Sequence, residues 1–447
     1  MTPRTPAGMT ADTQPGALRR DLGVFAAAMM GLGSIVGTGV FVSIGIAAGI
    51  AGPSVLPALV LAGAVAACNA LSSAQLAANC PTSGGTYEYG YVYLRPWLGF
   101  AAGWMFLCAK SASAATAALG FSAYSLDLSG VAAPAWGRIA LGCAAVVALT
   151  MLVLGGVRRS GAANVLIVTA TLVSLALFVL LGVPSAVANG TERFLPLFES
   201  PIGDGRSAMV RFLEAAALMF VAYTGYGRIA TMGEEVRNPR TSIPRAIVLA
   251  LGAAMALYIA VAAVGIGAAG AGALSAPEGS GEAPLAAVAR QFGPEWLPVA
   301  LAVGAMTAML GVLLNLVLGL SRVALAMARR GDLPRALAHV DSRRASPSRA
   351  VLLVGFIVLA IAAMGSIRLA WSFSAFTVLV YYAVTNLAAI RLPPPQRLYH
   401  PAIAWAGLLG CLSLAFFIEW RICAAGLGVL GAGLVARALL RSALRPA

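Results

Sequence analysis

The stretch that decides the fold is MGLGSIVGTGVF, Met30–Phe41, which places glycines at positions 31, 33, 37 and 39 inside an otherwise apolar run. Glycine weakens an α-helix by roughly 1 kcal/mol relative to alanine, because its backbone loses more freedom on folding. The string therefore indicates either close helix packing, through the GxxxG pair Gly33 and Gly37, or a break in the helix. Because Ser34 and Thr38 add polar side chains to the same stretch, we favour the break.

The composition of the chain indicates a membrane protein. Of its 447 residues, 60% are hydrophobic and only 10% are charged, which is more apolar surface than a soluble domain buries. Apolar runs of about 20 residues, enough to cross a hydrocarbon core, recur along most of the chain. We predict twelve membrane spans, at residues 24–50, 54–78, 97–122, 136–156, 163–186, 209–232, 245–272, 297–327, 349–367, 369–391, 401–419 and 422–440.

The distribution of basic residues predicts the orientation. With the N-terminus inside the cell, the predicted cytoplasmic segments hold twenty basic residues and the external loops hold seven. Cytoplasmic loops carry the excess of arginine and lysine in membrane proteins. We therefore expect a multi-pass protein of the cell (inner or plasma) membrane with both termini cytoplasmic. The same rule explains the net charge of +14 without a nucleic-acid partner.

A second glycine-rich interruption lies in span six. The stretch EAAALMFVAYTGYGRIATMGEE, Glu214–Glu235, places Gly225 and Gly227 beside Thr224. Breaks in the first and sixth spans are the spacing expected of two inverted repeats of five spans, with a transport site between them. Unwinding frees backbone N–H groups that hold an anion and carbonyl groups that hold a cation. An amino acid presents both charges on adjacent atoms.

Five motifs resemble those of the amino acid-polyamine-organocation (APC) permeases. They are GLGSIVGTGVF in span one, PTSGGTYEYGY (81–91), the pair Gly103 and Trp104, the segment 220–247 across span six, and SRVALAMARRGDLP (321–334). The resemblance implies an all-α integral membrane protein of the LeuT type: twelve transmembrane helices, a five-plus-five inverted repeat with discontinuous helices 1 and 6, and two further C-terminal helices. It divides the chain into a cytoplasmic tail (1–22), a first repeat (23–190), a second repeat (191–392), and the last two spans with a cytoplasmic tail (393–447).

The resemblance also implies the site residues. By position, the substrate carboxylate binds the unwound backbone of span one, and the ammonium meets carbonyl groups of spans one and six. The residues expected to bind substrate are Ile35, Gly37, Thr38, Gly39, Phe220, Val221, Tyr223, Thr224 and Gly225. Those expected to act as gates are Phe220, Tyr226, Glu234 and Glu235.

The chain departs from the family pattern at three positions. Where relatives often have an aspartate in span six, this chain has Gly227, so no carboxylate is offered there. Val221 replaces an aromatic gate, and Thr171 stands where some proton-coupled relatives have a lysine. Because the lysine is absent, the resemblance does not imply that this chain couples transport to protons in the way those relatives do.

Lys110 is the only lysine in the chain, and it lies near the middle of span three. An ionisable residue at this depth is costly, so a functional role in coupling or substrate selectivity is the first hypothesis, and hydrogen-bonded structural support is the alternative. Three functions are open. Lys110 takes up and releases a proton, because burial disfavours its charged form; or it replaces a bound sodium ion by holding span three against span one; or it repels cationic side chains and favours neutral or acidic substrates.

Together these features predict secondary active transport of a small or neutral amino acid by alternating access. Proton symport or amino acid exchange ranks above sodium coupling. The alternatives are a cationic amino acid or polyamine antiporter, which Gly227 and Lys110 disfavour, and an amino-acid sensor outside transport. We predict no enzymatic activity, catalytic residue, metal site or cofactor. The expected partners are the amino acid, the lipid bilayer and protons, in a monomer or homodimer. We further expect Glu88 to pair with a cytoplasmic arginine such as Arg95.

Overall fold

The structure is a computed structural model that describes residues 23–80, 84–131, 133–155, 161–198, 205–230, 236–275, 283–340 and 347–443. Regular structure in these residues is helical. The α-helices are α1 (Val24–Ile35), α2 (Ile44–Ala51), α3 (Val55–Asn79), α4 (Thr86–Tyr93), α5 (Pro96–Ser129), α6 (Ala135–Leu154), α7 (Gly161–Ala188), α8 (Ala208–Tyr223), α9 (Gly227–Ala230), α10 (Pro239–Ala269), α11 (Ala271–Leu274), α12 (Pro284–Ala289), α13 (Trp296–Arg329), α14 (Ser348–Ala363), α15 (Ile367–Ile390), α16 (Pro401–Phe416) and α17 (Trp420–Ala443). One π-helical turn (Gly39–Ser43) and short 3₁₀ turns, at Gly52–Ser54, Glu192–Phe194, Thr224–Tyr226, Arg335–Ala338 and Pro394–Gln396, complete them.

All twelve predicted spans fall largely on these helices, and eight helical segments of the described residues are long and apolar enough to cross a membrane. These are Val24–Asn79, Ala135–Leu154, Asn164–Ala188, Ala208–Ile229, Pro239–Ala269, Trp296–Arg329, Ile367–Ile390 and Trp420–Ser442. The helices α14 and α16 are apolar but shorter. The helix α5 is long enough, yet it is not among the eight.

The boundaries of α5 follow from its sequence. Pro96 starts the helix, where its missing N–H group costs nothing because the first N–H groups of a helix have no partner within it. The helix continues to Ser129, beyond the predicted end of span three at residue 122. It stops at Gly130, whose φ of 65° lies in the left-handed region that favours glycine.

The helix α5 also lies at the centre of the bundle. It packs chiefly against α13 and α15, and its middle turns are rich in buried alanine and serine. Small side chains let helices approach closely. Around this centre, α6, α7 and α17 expose large apolar side chains such as Met151, Leu166 and Leu439. An apolar exterior around a small-residue interior is the arrangement expected of a bundle that lies in lipid.

Both predicted helix breaks are present. The helix α1 ends at Ile35, and Val36 adopts an extended conformation with ψ 103° before the π-helical turn leads into α2. The helix α8 ends at Tyr223, and a 3₁₀ turn separates it from α9. The glycines of the two stretches therefore mark real interruptions.

Candidate functional site

The two breaks lie directly against each other. A Cβ atom built on Gly225 would lie closer than van der Waals contact to the carbonyl group of Ser34 and the nitrogen of Ile35. A Cβ atom on Gly39 would lie 2.6 Å from the Tyr258 hydroxyl oxygen and 2.9 Å from Cβ of Ala222. Both interpretations of the glycines, helix break and close packing, therefore apply. The glycines interrupt the helices, and they also let the interrupted backbones touch.

Side-chain hydroxyl groups donate hydrogen bonds to the backbone carbonyl groups near the breaks. Tyr258 of α10 donates to the Ile35 carbonyl at 2.7 Å and also lies 3.3 Å from the Ala222 carbonyl, so one side chain bridges both broken helices. Tyr382 of α15 donates to the Thr224 carbonyl at 3.3 Å. The Thr224 hydroxyl donates to the Val221 carbonyl at 2.7 Å. A substrate ammonium bound here would either share these carbonyl groups with the hydroxyls or displace the hydroxyls from them.

Lys110 reaches this region from α5. Its Nζ atom donates a 2.8 Å hydrogen bond to the Thr224 hydroxyl, and the residue is 9% exposed. The contact joins span three to the broken part of span six, whereas the sodium-like hypothesis placed it against span one. One turn further along α5, Ser113 shares a 2.8 Å hydrogen bond with Ser374 of α15. Lys110 therefore lies where α5 and α15 meet the break after α8.

Aromatic side chains enclose the same region. Phe220, Tyr223 and Tyr226 are fully buried. The rings of Phe220 and Tyr226 pack on Tyr382, with centroid separations of 5.7 and 5.5 Å. These rings therefore form part of a buried wall around the region in this conformation.

Nine of the predicted site residues fall into three groups. Ile35, Gly39, Thr224, Gly225 and Lys110 lie at or beside the contact between the breaks. Other residues face neighbouring helices: Gly37 packs on Val312 of α13, and the Tyr223 hydroxyl donates to the Leu59 carbonyl of α3 at 3.3 Å. The predicted gate residues Glu234 and Glu235 lie outside the described residues.

The Thr38 hydroxyl, like that of Tyr226, differs from the hydroxyl groups of the site that donate to carbonyl groups. It is buried in span one, with the residue 4% exposed, and it has no hydrogen-bond partner within the described residues. A buried hydroxyl normally finds a partner, because leaving it unpaired costs about 1–3 kcal/mol. Thr38 therefore offers a free polar group at the position where a substrate carboxylate was predicted.

A buried ionic cluster that the sequence did not reveal lies at one end of the bundle. The Asp332 carboxylate follows α13 and is fully buried. It accepts hydrogen bonds from the hydroxyls of Tyr87, at 2.9 Å, and Tyr91. It also binds Arg437 of α17 at 2.7 Å and Arg441 at 3.0 Å. The cluster ties the last helix to α4 and to the end of α13.

The two tyrosines of this cluster act as hydrogen-bond donors. Burial, and then the neighbouring Asp332 carboxylate, raise the pKa of Tyr87 and Tyr91 above the usual value of a phenol. Both hydroxyls therefore keep their protons at neutral pH. The signal in the sequence was the spacing, since tyrosines four residues apart lie on one face of a helix.

The expected pairing of Glu88 with an arginine is confirmed, but the partner is not Arg95. Glu88 forms its ion pair with Arg330, at the end of α13, and the guanidinium of Arg330 lies over the Tyr91 ring, 4.3 Å from its centroid. The helix α4 presents Glu88 and Tyr91 on one side, because they are three residues apart. That side faces α13, so the partner is distant in sequence.

Comparisons with known proteins identify the family of the chain. A family model described as "Amino acid permease" matches residues 22–434. The chain belongs to this family. The permease is 42% identical to an uncharacterized transporter of Mycobacterium tuberculosis over 435 residues, which cover 97% of this chain and 94% of the relative. It is 28% identical to the methylthioribose transporter of Bacillus subtilis, over 88% of this chain and 85% of that protein.

A solved structure supports the fold of the permease. The crystal structure of a manganese transporter mutant from Eremococcus coleocola matches with a TM-score of 0.60 at 13% identity, covering 93% of this chain and 92% of that one. At this identity the match establishes the fold alone. The permease is thus a multi-pass membrane transporter of a small molecule and not an enzyme.

Proposed function

We propose that this permease is a secondary transporter that carries small or neutral amino acids across the cell membrane by alternating access. The observation that carries the proposal is the contact of two interrupted helices, with Gly225 of one lying against Ser34 and Ile35 of the other. Paired broken helices place N–H and carbonyl groups at mid-membrane, where a zwitterion needs them. In this proposal all twelve spans cross the membrane, spans one to five and six to ten are inverted repeats, and both termini are cytoplasmic.

The substrate lies across the contact between the breaks in this proposal. Its carboxylate binds at Gly37, Thr38 and Gly39, and its ammonium binds carbonyl groups of Ile35 and of the break after α8. The unpartnered Thr38 hydroxyl supports the first assignment. Transport is coupled to protons or to exchange of a second amino acid.

An uptake panel in proteoliposomes tests the substrate and the coupling. The panel contains neutral, acidic and cationic amino acids, a polyamine and methylthioribose, each measured with and without a pH gradient and with sodium replaced by choline. We expect neutral amino acids to enter, faster with a pH gradient or with amino acid preloaded inside. If they neither enter nor compete, the substrate proposal is wrong; if sodium alone drives uptake, the coupling proposal is wrong.

The variant Thr38→Val tests the carboxylate position. Valine keeps the shape of threonine and removes the hydroxyl, and hydrogen bonds to charged groups are worth about 1.5–3 kcal/mol. We expect the KM for uptake to rise by about tenfold or more. The matched control is Thr150→Val, because the Thr150 hydroxyl is also buried but bonds to the Val146 carbonyl of its own helix. Equal KM values for the two variants would mean that the Thr38 hydroxyl does not bind the substrate.

A further inference from the structure

The surroundings of Lys110 are unusual for a buried cation. An ammonium group donates up to three hydrogen bonds, and among the residues that the structure describes Lys110 makes one, to the Thr224 hydroxyl. The ion pairs of the described residues are all made by arginines: Arg206 with Glu214, Arg290 with Asp127, Arg330 with Glu88, and Arg437 and Arg441 with Asp332. Within the described part of the chain, Lys110 therefore has no carboxylate at ion-pair distance.

The position of Lys110 is set by the two sides of the span-six break. One side faces span one, because Gly225 packs on Ser34 and Ile35. The other side faces α5 and α15, where the Thr224 hydroxyl meets Lys110 and the Thr224 carbonyl meets Tyr382. Lys110 thus lies across the break from the backbone proposed to bind the carboxylate, on the side left for the rest of the substrate.

We propose that Lys110 sets the charge specificity of the site by excluding substrates with a cationic side chain. The inference rests on the proposed function and adds the class of substrate that is refused. Two like charges a few Å apart repel several times more strongly in a protein interior than in water. Among the described residues no carboxylate lies at ion-pair distance from Lys110, and Gly227 offers none at the break, so no described acid offsets a second positive charge.

A purely structural role predicts a different behaviour. If the hydrogen bond to Thr224 only holds α5 against the break, then losing the bond slows transport of every substrate alike. The charge and the bond can be separated by mutation. Lys110→Met removes both at similar length, Lys110→Arg keeps the charge, and Thr224→Val removes the bond but leaves the amine of Lys110 in place.

The test measures inhibition of neutral amino acid uptake by arginine, lysine and ornithine, with the full chain in proteoliposomes. We expect these cationic amino acids to inhibit the wild type at concentrations more than about tenfold higher than neutral amino acids of similar size need. In Lys110→Met the difference shrinks to about twofold to threefold. In Lys110→Arg and in Thr224→Val the difference persists, even where the rate falls.

Three outcomes would overturn the inference. They are strong inhibition of the wild type by cationic amino acids, an unchanged preference in Lys110→Met, and a preference lost equally in Thr224→Val. Lys110→Gln serves as a second neutral variant if the methionine variant melts early. A wild type that carries neutral but not cationic amino acids, with no change in either neutral variant, sinks the inference and leaves the proposed function intact. A wild type that carries no amino acid at all sinks both.

Discussion

Gly225→Ala is expected to lower uptake by more than about tenfold, because overpacking costs on the order of 1–3 kcal/mol or more. The added methyl group meets backbone atoms of Ser34 and Ile35, which have no rotamer to change. The two interrupted helices must then separate, and the carbonyl groups bridged by Tyr258 move apart. The measurement is initial uptake of a neutral amino acid by reconstituted protein, together with the unfolding temperature in detergent.

The control for this variant is Gly252→Ala. Gly252 lies on α10 with no atom within 4 Å of a built Cβ, so alanine there meets open space and favours the helix. We expect uptake and the unfolding temperature of this variant to match or exceed those of the wild type. If Gly225→Ala behaves like the control, the close contact between the breaks is not needed for transport.

Asp332→Asn is expected to destabilise the protein by about 3–5 kcal/mol, the usual cost of leaving one member of a buried ion pair without its partner. Asparagine has the shape of aspartate but no charge, so the guanidinium of Arg437, whose side chain is 9% exposed, stays buried without a counter-ion. The unfolding midpoint in detergent measures the loss. We expect it to fall by several degrees.

The comparison variant is Arg441→Ala. Its side chain is 42% exposed, and exposed ion pairs contribute only about 0–1 kcal/mol. This variant should unfold close to the wild-type temperature. Similar midpoints for Asp332→Asn and Arg441→Ala would mean that the buried cluster does not hold α17 to the bundle.

The helix breaks were predictable from sequence because their cause is local. Glycine, serine and threonine have low intrinsic helix propensity. The stretches around Gly37 and Gly225 therefore predicted the interruptions without information about which helices pack against them. The buried position of Lys110 was predictable for the same reason, since its place in an apolar run follows from counting residues. The family resemblance added the expectation that the two breaks act together.

The partners of these residues were not predictable in the same way. Thr224 lies 114 residues from Lys110, and Arg330 lies 242 residues from Glu88. Such pairs depend on how each helix is rotated about its axis, which patterns within one helix do not determine when most faces are apolar. Asp332 was overlooked because an acid in a turn is usually solvated, and here α4 and α17 cover it.

The solitary lysine has a chemical consequence. Apart from the terminal amine, the chain carries one primary amine, that of Lys110, a residue that is 9% exposed and lies beside the break of span six. Water-soluble reagents that acylate amines thus have a single internal target in the whole molecule. At a fixed pH, the rate of modification at Nζ measures how often solvent and reagent reach the middle of the bundle. The native protein can therefore be assayed for opening without an introduced label.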